Sequence, residues 1–197
     1  MSAAVIIDSG GANIASLRAA LSRLGTETVV STDHGVIRRA PRVFLPGVGS
    51  AHDAMSRLRI AGLDQLIPTL KQPLLGICLG MQLLFERSDE GPVNTIGVIP
   101  GSVDKLHPAP GLPVPHMGWN QLIQSKPDPL LEGVSALDYV YFVHGYAVSA
   151  GQFTVASTEY GGNFTAVVRH ENFCGTQFHP ERSGVVGARI LANFLKS

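Results

Sequence analysis

Three times in the first half of the sequence, a short apolar run passes through a polar or glycine-bearing corner into a segment with apolar residues at helical spacing. AAVIID (3–8) precedes IASLRAALSRL, which Asn13 is placed to cap and Gly25 to stop. RVFLP (42–46) passes through GVGS into AHDAMSRLRI, and PLLGI (73–77) into a helix predicted through LGMQLLFERS; ETVVS (27–31) supplies one more strand. Strands without a polar face need cover on both sides, and crossover helices give that cover to parallel strands. The first half therefore predicts an open parallel sheet between two helical layers.

The second half changes character. GSVDKL, GWNQLIQ, DYVYFVHGYAV, FTVASTEY, FTAVVRH and CGTQFHP read as strands, mostly separated by Gly, Asn or Pro, with Gly161-Gly162-Asn163 as a hairpin corner. Such strands add hairpins to the sheet edge or build a small mixed layer. GVVGARILANFLK is a closing helix, and HPAPGLPVP (107–115) a surface connection. No internal repeat, low-complexity tract or interdomain linker interrupts the pattern. Residues 1–197 are thus expected to form one α/β domain, a three-layer open sheet, mostly parallel, with antiparallel strands added in its C-terminal half.

Charge narrows the range of partners. The 15 Lys and Arg are balanced by 15 Asp and Glu with no basic cluster, so neither nucleic acid nor a membrane surface is an expected partner. MSAAVIIDSGG lacks a basic segment ahead of a long apolar one, and no apolar run reaches the roughly 20 residues of a membrane span, so the cytoplasm is the expected compartment. Cys78 and Cys174 stand outside any CxxC or Cys/His spacing; free thiols are expected, with no metal and no cofactor.

Of those two thiols, Cys78 sits in a frame that suits chemistry. Gly76-Ile77-Cys78-Leu79-Gly80 has the spacing of a nucleophile elbow, a strand turning sharply into a helix with the reactive side chain at the apex. A Cβ at either glycine would obstruct the close approach of strand and helix. The apex falls at the carboxyl edge of the sheet, where open α/β folds bind ligands, and the helix that follows is expected to turn its positive end toward the sulfur and favour thiolate. Plain burial is the alternative use of a cysteine, and is the reading given to Cys174 in NFCGTQF.

A thiol nucleophile needs a base, and the base an orienting partner. Phe178-His179-Pro180-Glu181 offers both. In an extended backbone residues two apart share a face, so His179 and Glu181 can converge, with Pro180 stiffening the link. Glu181 would hold one ring nitrogen while the other faces Cys78. Attack on a carbonyl also requires N–H donors for the oxyanion. The Leu79 amide comes with the elbow, and a second donor can come from Pro46-Gly47-Val48-Gly49-Ser50, a glycine loop ending another strand. That loop lacks the lysine of a phosphate-binding loop and does not match GxGxxG, so nucleotide binding is the poorer account.

Together PGVGS, GICLGMQLLFE and FHPE resemble the class I, triad-type glutamine amidotransferases, which hydrolyse glutamine and pass on the ammonia. Across nearly the whole chain, DSGGANIASL, PGVGSAHDAM, PHMGWN (115–120), YFVHGYAV (141–148) and FHPERS are similar to one branch of that family, the glutaminase subunits of imidazole glycerol phosphate synthases in histidine biosynthesis. The resemblance implies Cys78 as nucleophile, His179 as base and then acid, and Glu181 as its orienting carboxylate. It implies oxyanion amides at Gly49 and Leu79, a glutamine cleft lined by Gly47 and the backbone of His144, Gly145 and Tyr146, and Gln82 at the α-amino acid end of glutamine. It further implies a heterodimer with a separate (β/α)₈ cyclase subunit, which uses the ammonia to make imidazole glycerol phosphate and aminoimidazole carboxamide ribotide; Asn13, Met117, Trp119 and Asn120 are candidate contacts.

Several positions depart from the family pattern. Ser9 and Ala12 stand where DYGxGN is usual, Gly145 where Ser is usual, and Arg182 where Lys is common. Trp119 also has a plain alternative as a core residue. Three other functional readings compete. A glutaminase subunit of a pyridoxal phosphate or anthranilate synthase is opposed by PHMGWN and YFVHGY; a cysteine peptidase or esterase would share the fold; a catalytically dead scaffold is opposed by the complete Cys78, His179, Glu181 set.

Overall fold

The computed structural model describes residues 4–10 and 14–197, so the readings that fall on Ala12 and Asn13 lie outside the described residues. The first half runs β1 (Ala4–Ile7), α1 (Ile14–Arg23), β2 (Thr28–Ser31), α2 (His34–Arg39), β3 (Val43–Gly47), α3 (Ala51–Ile60), α4 (Leu63–Leu66), β4 (Leu74–Cys78) and α5 (Leu79–Gln82). There follow β5 (Arg87–Ser88), β6 (Val93–Asn94), β7 (Ser102–Lys105), β8 (His116–Gln121), β9 (Ile123–Gln124), β10 (Tyr139–His144) and β11 (Tyr146–Ala147). β12 (Thr154–Glu159), β13 (Asn163–His170), β14 (Phe173–Thr176) and α6 (Gly184–Lys196) complete the chain.

The main sheet has eight strands in the order β2-β1-β3-β4-β14-β13-β12-β9. From β2 to β14 neighbours are parallel; β13, β12 and β9 continue antiparallel. Alternation along the apolar strands feeds two separate cores. Ala4, Ile6, Phe44, Leu75 and Ile77 pack with Leu17 and Leu21 of α1 and with Ile190, Leu191 and Phe194 of α6. Val5, Ile7, Val43, Leu45 and Leu74 pack on the other face with Ile37 of α2, Met55 and Leu58 of α3, and Leu63 and Leu66 of α4. Both faces are therefore covered, as the apolar runs require. The predicted hairpin corner joins β12 to β13, with Gly161 at φ 67° and Gly162 at φ 148°.

Two expectations are corrected, and one helix is added. The helix predicted through LGMQLLFERS is the single turn α5. Its apolar spacing misled because the carbonyls of Leu83, Leu84 and Phe85 accept from the N–H groups of Ile96, Ile99 and Gly97, a distant segment that takes the bonds a continuing helix would have used. Residues 34–39, unassigned from the sequence, form α2, capped where Asp33 accepts from the Val36 N–H at 2.7 Å. The CGTQFHP strand, expected among the hairpins, is β14, which joins the parallel block beside β4 in the register Ile77↔Thr176.

Two smaller sheets sit over the carboxyl edge. β10 and β8 form an antiparallel ribbon, and β11-β7-β5-β6 a mixed sheet. Gly145 is the joint between them, because β10 ends at His144 and β11 starts at Tyr146.

Candidate active site

The elbow places Cys78 at φ 55°, ψ −112°, a backbone conformation that L residues seldom adopt. Contacts of the flanking glycines hold it there. A Cβ on Gly80 would lie 1.7 Å from the Leu45 carbonyl oxygen, and one on Gly76 would lie 2.6 Å from the Gly80 carbonyl oxygen. Strand and turn thus touch backbone to backbone. Gly47, opposite Cys78 in the β3–β4 register, is equally close: its Cβ would meet the Gly80 nitrogen at 2.8 Å. The glycine loop and the elbow are consequently one packed unit. With only one helical turn after Cys78, α5 is too short to supply the helix macrodipole expected to act on the sulfur.

His179 and Glu181 converge, but not on an extended backbone. His179 is extended (φ −95°, ψ 98°), whereas Pro180–Arg182 form a 3₁₀ turn that carries the carboxylate back to the ring. Nδ1 of His179 lies 2.8 Å from Glu181 Oε1, and both side chains are buried. Ser183 clamps this turn: its hydroxyl donates to the His179 carbonyl at 2.7 Å and accepts from the Tyr141 N–H at 3.0 Å. A Cβ at Gly187 would lie 1.9 Å from the Pro180 carbonyl oxygen, so α6 seats directly on the turn. The His179 side chain hydrogen-bonds to Cys78 as well as to Glu181. Burial alone would lower the pKa of this ring, but hydrogen bonds to Cys78 and Glu181 and the negative charges of both outweigh it, and the pKa is pushed up to about 10. A sulfur, an imidazolium and a buried carboxylate in line can deliver a thiolate to a carbonyl and a proton to its leaving group.

Cys78 lies on the wall of a cleft of about 470 Å³ at the carboxyl edge. Gly47, Gly49, Leu79, Gln82, His144, Gly145 and Tyr146, all expected from the sequence, line the same cleft. Gln82 is buried, and its amide NH₂ donates to the Tyr146 carbonyl at 2.8 Å and to Gln177 Oε1 at 2.9 Å. A Cβ at Gly145 would meet only Val114 Cγ1, at 3.7 Å, so sterics do not demand glycine there. Ser9, another of the departures, is buried and donates to the Pro46 carbonyl at 2.6 Å, which fastens the first loop to the glycine loop. Sequence reasoning missed Glu90 and the lining role of Arg182, the two oppositely charged side chains of the cleft. The Glu90 carboxyl accepts from the Ala51 N–H; burial, opposed by that bond and aided by Asp53, raises its pKa above the usual range. Glu90 belongs to no local motif that would have flagged it, whereas Arg182 stands within FHPERS, where sequence reasoning marks only its departure from the common Lys.

Behind the cleft, His144 Nδ1 lies 2.8 Å from the Tyr146 carbonyl, an acceptor only, so this nitrogen carries the proton. Nε2 of His144 must then accept from His116 Nδ1 at 3.1 Å, and His116 Nε2 faces the Asn120 amide at 3.4 Å. Burial pushes the His144 pKa down to about 3 and the His116 pKa to about 4. Both rings stay neutral when folded, while an unfolded chain protonates them below about 6.5, so the stability they contribute at neutral pH is lost as pH falls toward 4. For His179 the sign is opposite: its contribution is complete below about 6.5 and is lost as pH rises toward about 10. Melting temperature is therefore expected to fall on both sides of about pH 6.5, with a shallower acid limb in His116→Gln. An acid limb of unchanged slope in that variant would contradict the assignment.

Of the remaining predicted positions, Met117 and Trp119 are 63% and 55% exposed on the outer face of the β8–β10 ribbon, so Trp119 is not a core residue. Asn120 is on the opposite face, its amide donating to the Glu159 carbonyl at 3.0 Å. Cys174 is fully buried, and desolvation pushes its thiol up to about 11.

Residues 5–197 match the family described as glutamine amidotransferase class-I. The chain is 53% identical over 196 residues to the imidazole glycerol phosphate synthase subunit HisH of Xanthomonas euvesicatoria pv. vesicatoria, covering 100% of this chain and 98% of that one. It is 52% identical, with the same coverage, to the protein of that name from Xylella fastidiosa strain Temecula1. Among solved structures, one described as a glutamine amidotransferase superposes with a TM-score of 0.76 at 18% identity, covering 98% of this chain and 97% of that one. PurLQS from Thermotoga maritima superposes with a TM-score of 0.73 at 19% identity, covering 100% and 99%. At such identity the two structures speak to the fold alone.

Proposed function

This chain belongs to the class-I glutamine amidotransferases, and on that footing we propose that it is the glutaminase subunit of an imidazole glycerol phosphate synthase, acting in histidine biosynthesis. The carrying observation is that Cys78 and His179 share one cleft wall, with Glu181 buried behind the imidazole, in a chain more than half identical over its length to a subunit of that name.

In the reaction, the Cys78 sulfur adds to the carboxamide carbon of glutamine, and the oxyanion is held by the Gly49 and Leu79 amides. As the tetrahedral species collapses, the carbon–nitrogen bond breaks and His179 gives its proton to the departing nitrogen, which leaves as ammonia. His179 then takes a proton from water, whose oxygen attacks the thioester; glutamate departs and the thiolate returns. Glu181 keeps the ring oriented and balances its charge through both steps. Gln82 faces the α-amino acid end of glutamine, and the opposite charges of Glu90 and Arg182 suit a zwitterion. The chemistry runs on sulfur, imidazole and backbone donors and asks for no cofactor.

Ammonia released into water at neutral pH becomes ammonium, which is not a nucleophile, so the cleft must open into the consuming enzyme. We assign that surface to the outer face of the β8–β10 ribbon, where Met117, Trp119 and Tyr139 are exposed and Val143 continues to the cleft. Asn120, turned inward, steadies the ribbon rather than touching the partner. The partner is a cyclase with a (β/α)₈ barrel, forming a cytoplasmic heterodimer with this single-domain chain and involving neither nucleic acid nor membrane. No helix among the described residues is long and apolar enough to cross a membrane.

The test mixes the purified chain with purified cyclase, with and without the cyclase ligand, and measures glutamate release together with labelling by a glutamine-derived electrophile. Glutamine hydrolysis and modification of Cys78 are expected. Ester or peptide turnover with no glutamine hydrolysis in any combination would overturn the reading.

A further inference from the structure

Gln177 lies immediately before the FHPE segment, and its side chain belongs to none of the roles assigned above. It is 0% exposed. A buried amide calls for an explanation, because a polar atom left unpaired there loses its water without replacement. Its partners supply one. Oε1 accepts from Gln82 Nε2 at 2.9 Å, and Nε2 points at Cys78 Sγ, 3.9 Å away.

The orientation of this amide follows from chemistry alone. The Tyr146 carbonyl can only accept, so the Gln82 side chain must turn its NH₂ toward it. The second N–H of that group then meets Gln177, which must present its oxygen. The Gln177 NH₂ is thereby forced toward the sulfur. One backbone carbonyl thus sets two amides in series, and the series ends on the nucleophile.

The groups facing Sγ are the His179 ring, the Gln177 amide and the Val143 carbonyl, the last at 3.7 Å. A carbonyl suits the thiol, which donates to it; the two N–H donors suit the thiolate. On the reading that Cys78 is the nucleophile, we propose that Gln177 is a second N–H donor to the thiolate and the positioning residue that keeps the Gln82 carbonyl oxygen turned to the glutamine cleft. The glutamine-binding end and the reacting sulfur are then coupled through a single buried side chain.

Two near-isosteric variants of the full chain test this. Gln177→Met removes both polar ends, and Gln177→Glu keeps the shape but turns an oxygen toward the sulfur. The readout is the rate at which iodoacetamide alkylates Cys78, with peptide mapping to score Cys174 separately. A charge-assisted donor predicts labelling about tenfold slower in Gln177→Met and slower still in Gln177→Glu. With the cyclase present, kcat for glutamine is expected to fall and KM to rise together. A folded Gln177→Met, with wild-type circular dichroism and melting temperature, that labels within about twofold of wild type would overturn the proposal. Should neither variant fold, the wild-type chain still decides: blocking Cys78 as its methyl disulfide is expected to shift the Gln177 side-chain amide protons by NMR, and unmoved resonances overturn the role. A wild-type chain whose Cys78 resists alkylation would instead overturn the nucleophile assignment itself.

Discussion

Replacing Cys78 with alanine is expected to lower glutamine-dependent synthesis by the complex with its cyclase at least about 10⁴-fold, while synthesis from ammonium salts continues. The magnitude follows from the loss of the only sulfur that the described residues place on the cleft wall: Cys174 is buried and its thiol is pushed up to about 11, so it cannot take over. The selectivity follows from geometry. Alanine keeps the Cβ that already tolerates φ 55°, so the elbow and the ribbon beside it should persist and the melting temperature should stay close to wild type. Glutamate release and product formation from ammonia, measured in parallel, separate the two activities. If both fell together, Cys78 would be holding the complex in shape rather than attacking glutamine.

Gly80→Ala is expected to cause the largest loss of stability of any single methyl addition near the site, more than about 4 kcal/mol or outright failure to fold. The added carbon would sit 1.7 Å from the Leu45 carbonyl oxygen, an atom fixed in the centre of a parallel sheet. Gly80 does not have a positive φ, so the whole penalty comes from contact. Gly25→Ala is the natural control: Gly25 has φ 74° with nothing near its Cβ, and its cost is limited to about 1 kcal/mol of backbone strain. Denaturant unfolding of the two variants compares them directly. A Gly80→Ala protein nearly as stable as wild type would mean that strand and turn separate easily, and the elbow would lose its claim to rigidity.

What could be foreseen from the residues depended on how local the cause was. β1, β3 and β4 are legible because an apolar strand must be covered wherever it goes, and α1, α3 and α6 because their spacing repeats over 10 to 13 residues. LGMQLLFERS has the same spacing and failed, since the carbonyls of Leu83 to Phe85 are claimed by residues 96–99. The neighbour chosen by β14 is likewise absent from its own letters; β4 decides it. Cys78, His179 and Glu181 each belong to a short motif whose chemistry is readable, although the turn that joins the last two is 3₁₀ and not extended. Glu90 and Gln177 acquire their partners only across the folded molecule, from Ala51 and Gln82. Sequence spacing carries no trace of such pairings.

Because β14 lies between β4 and β13, the strand leading to His179 is inserted into the interior of the sheet, yet it is made well after β4, its partner there. A ribosome delivers the thiol-bearing strand long before the imidazole that serves it. The nascent chain consequently stays chemically mute until β14 has emerged, and the capacity to consume glutamine arrives in one step, when that strand takes its place between β4 and β13.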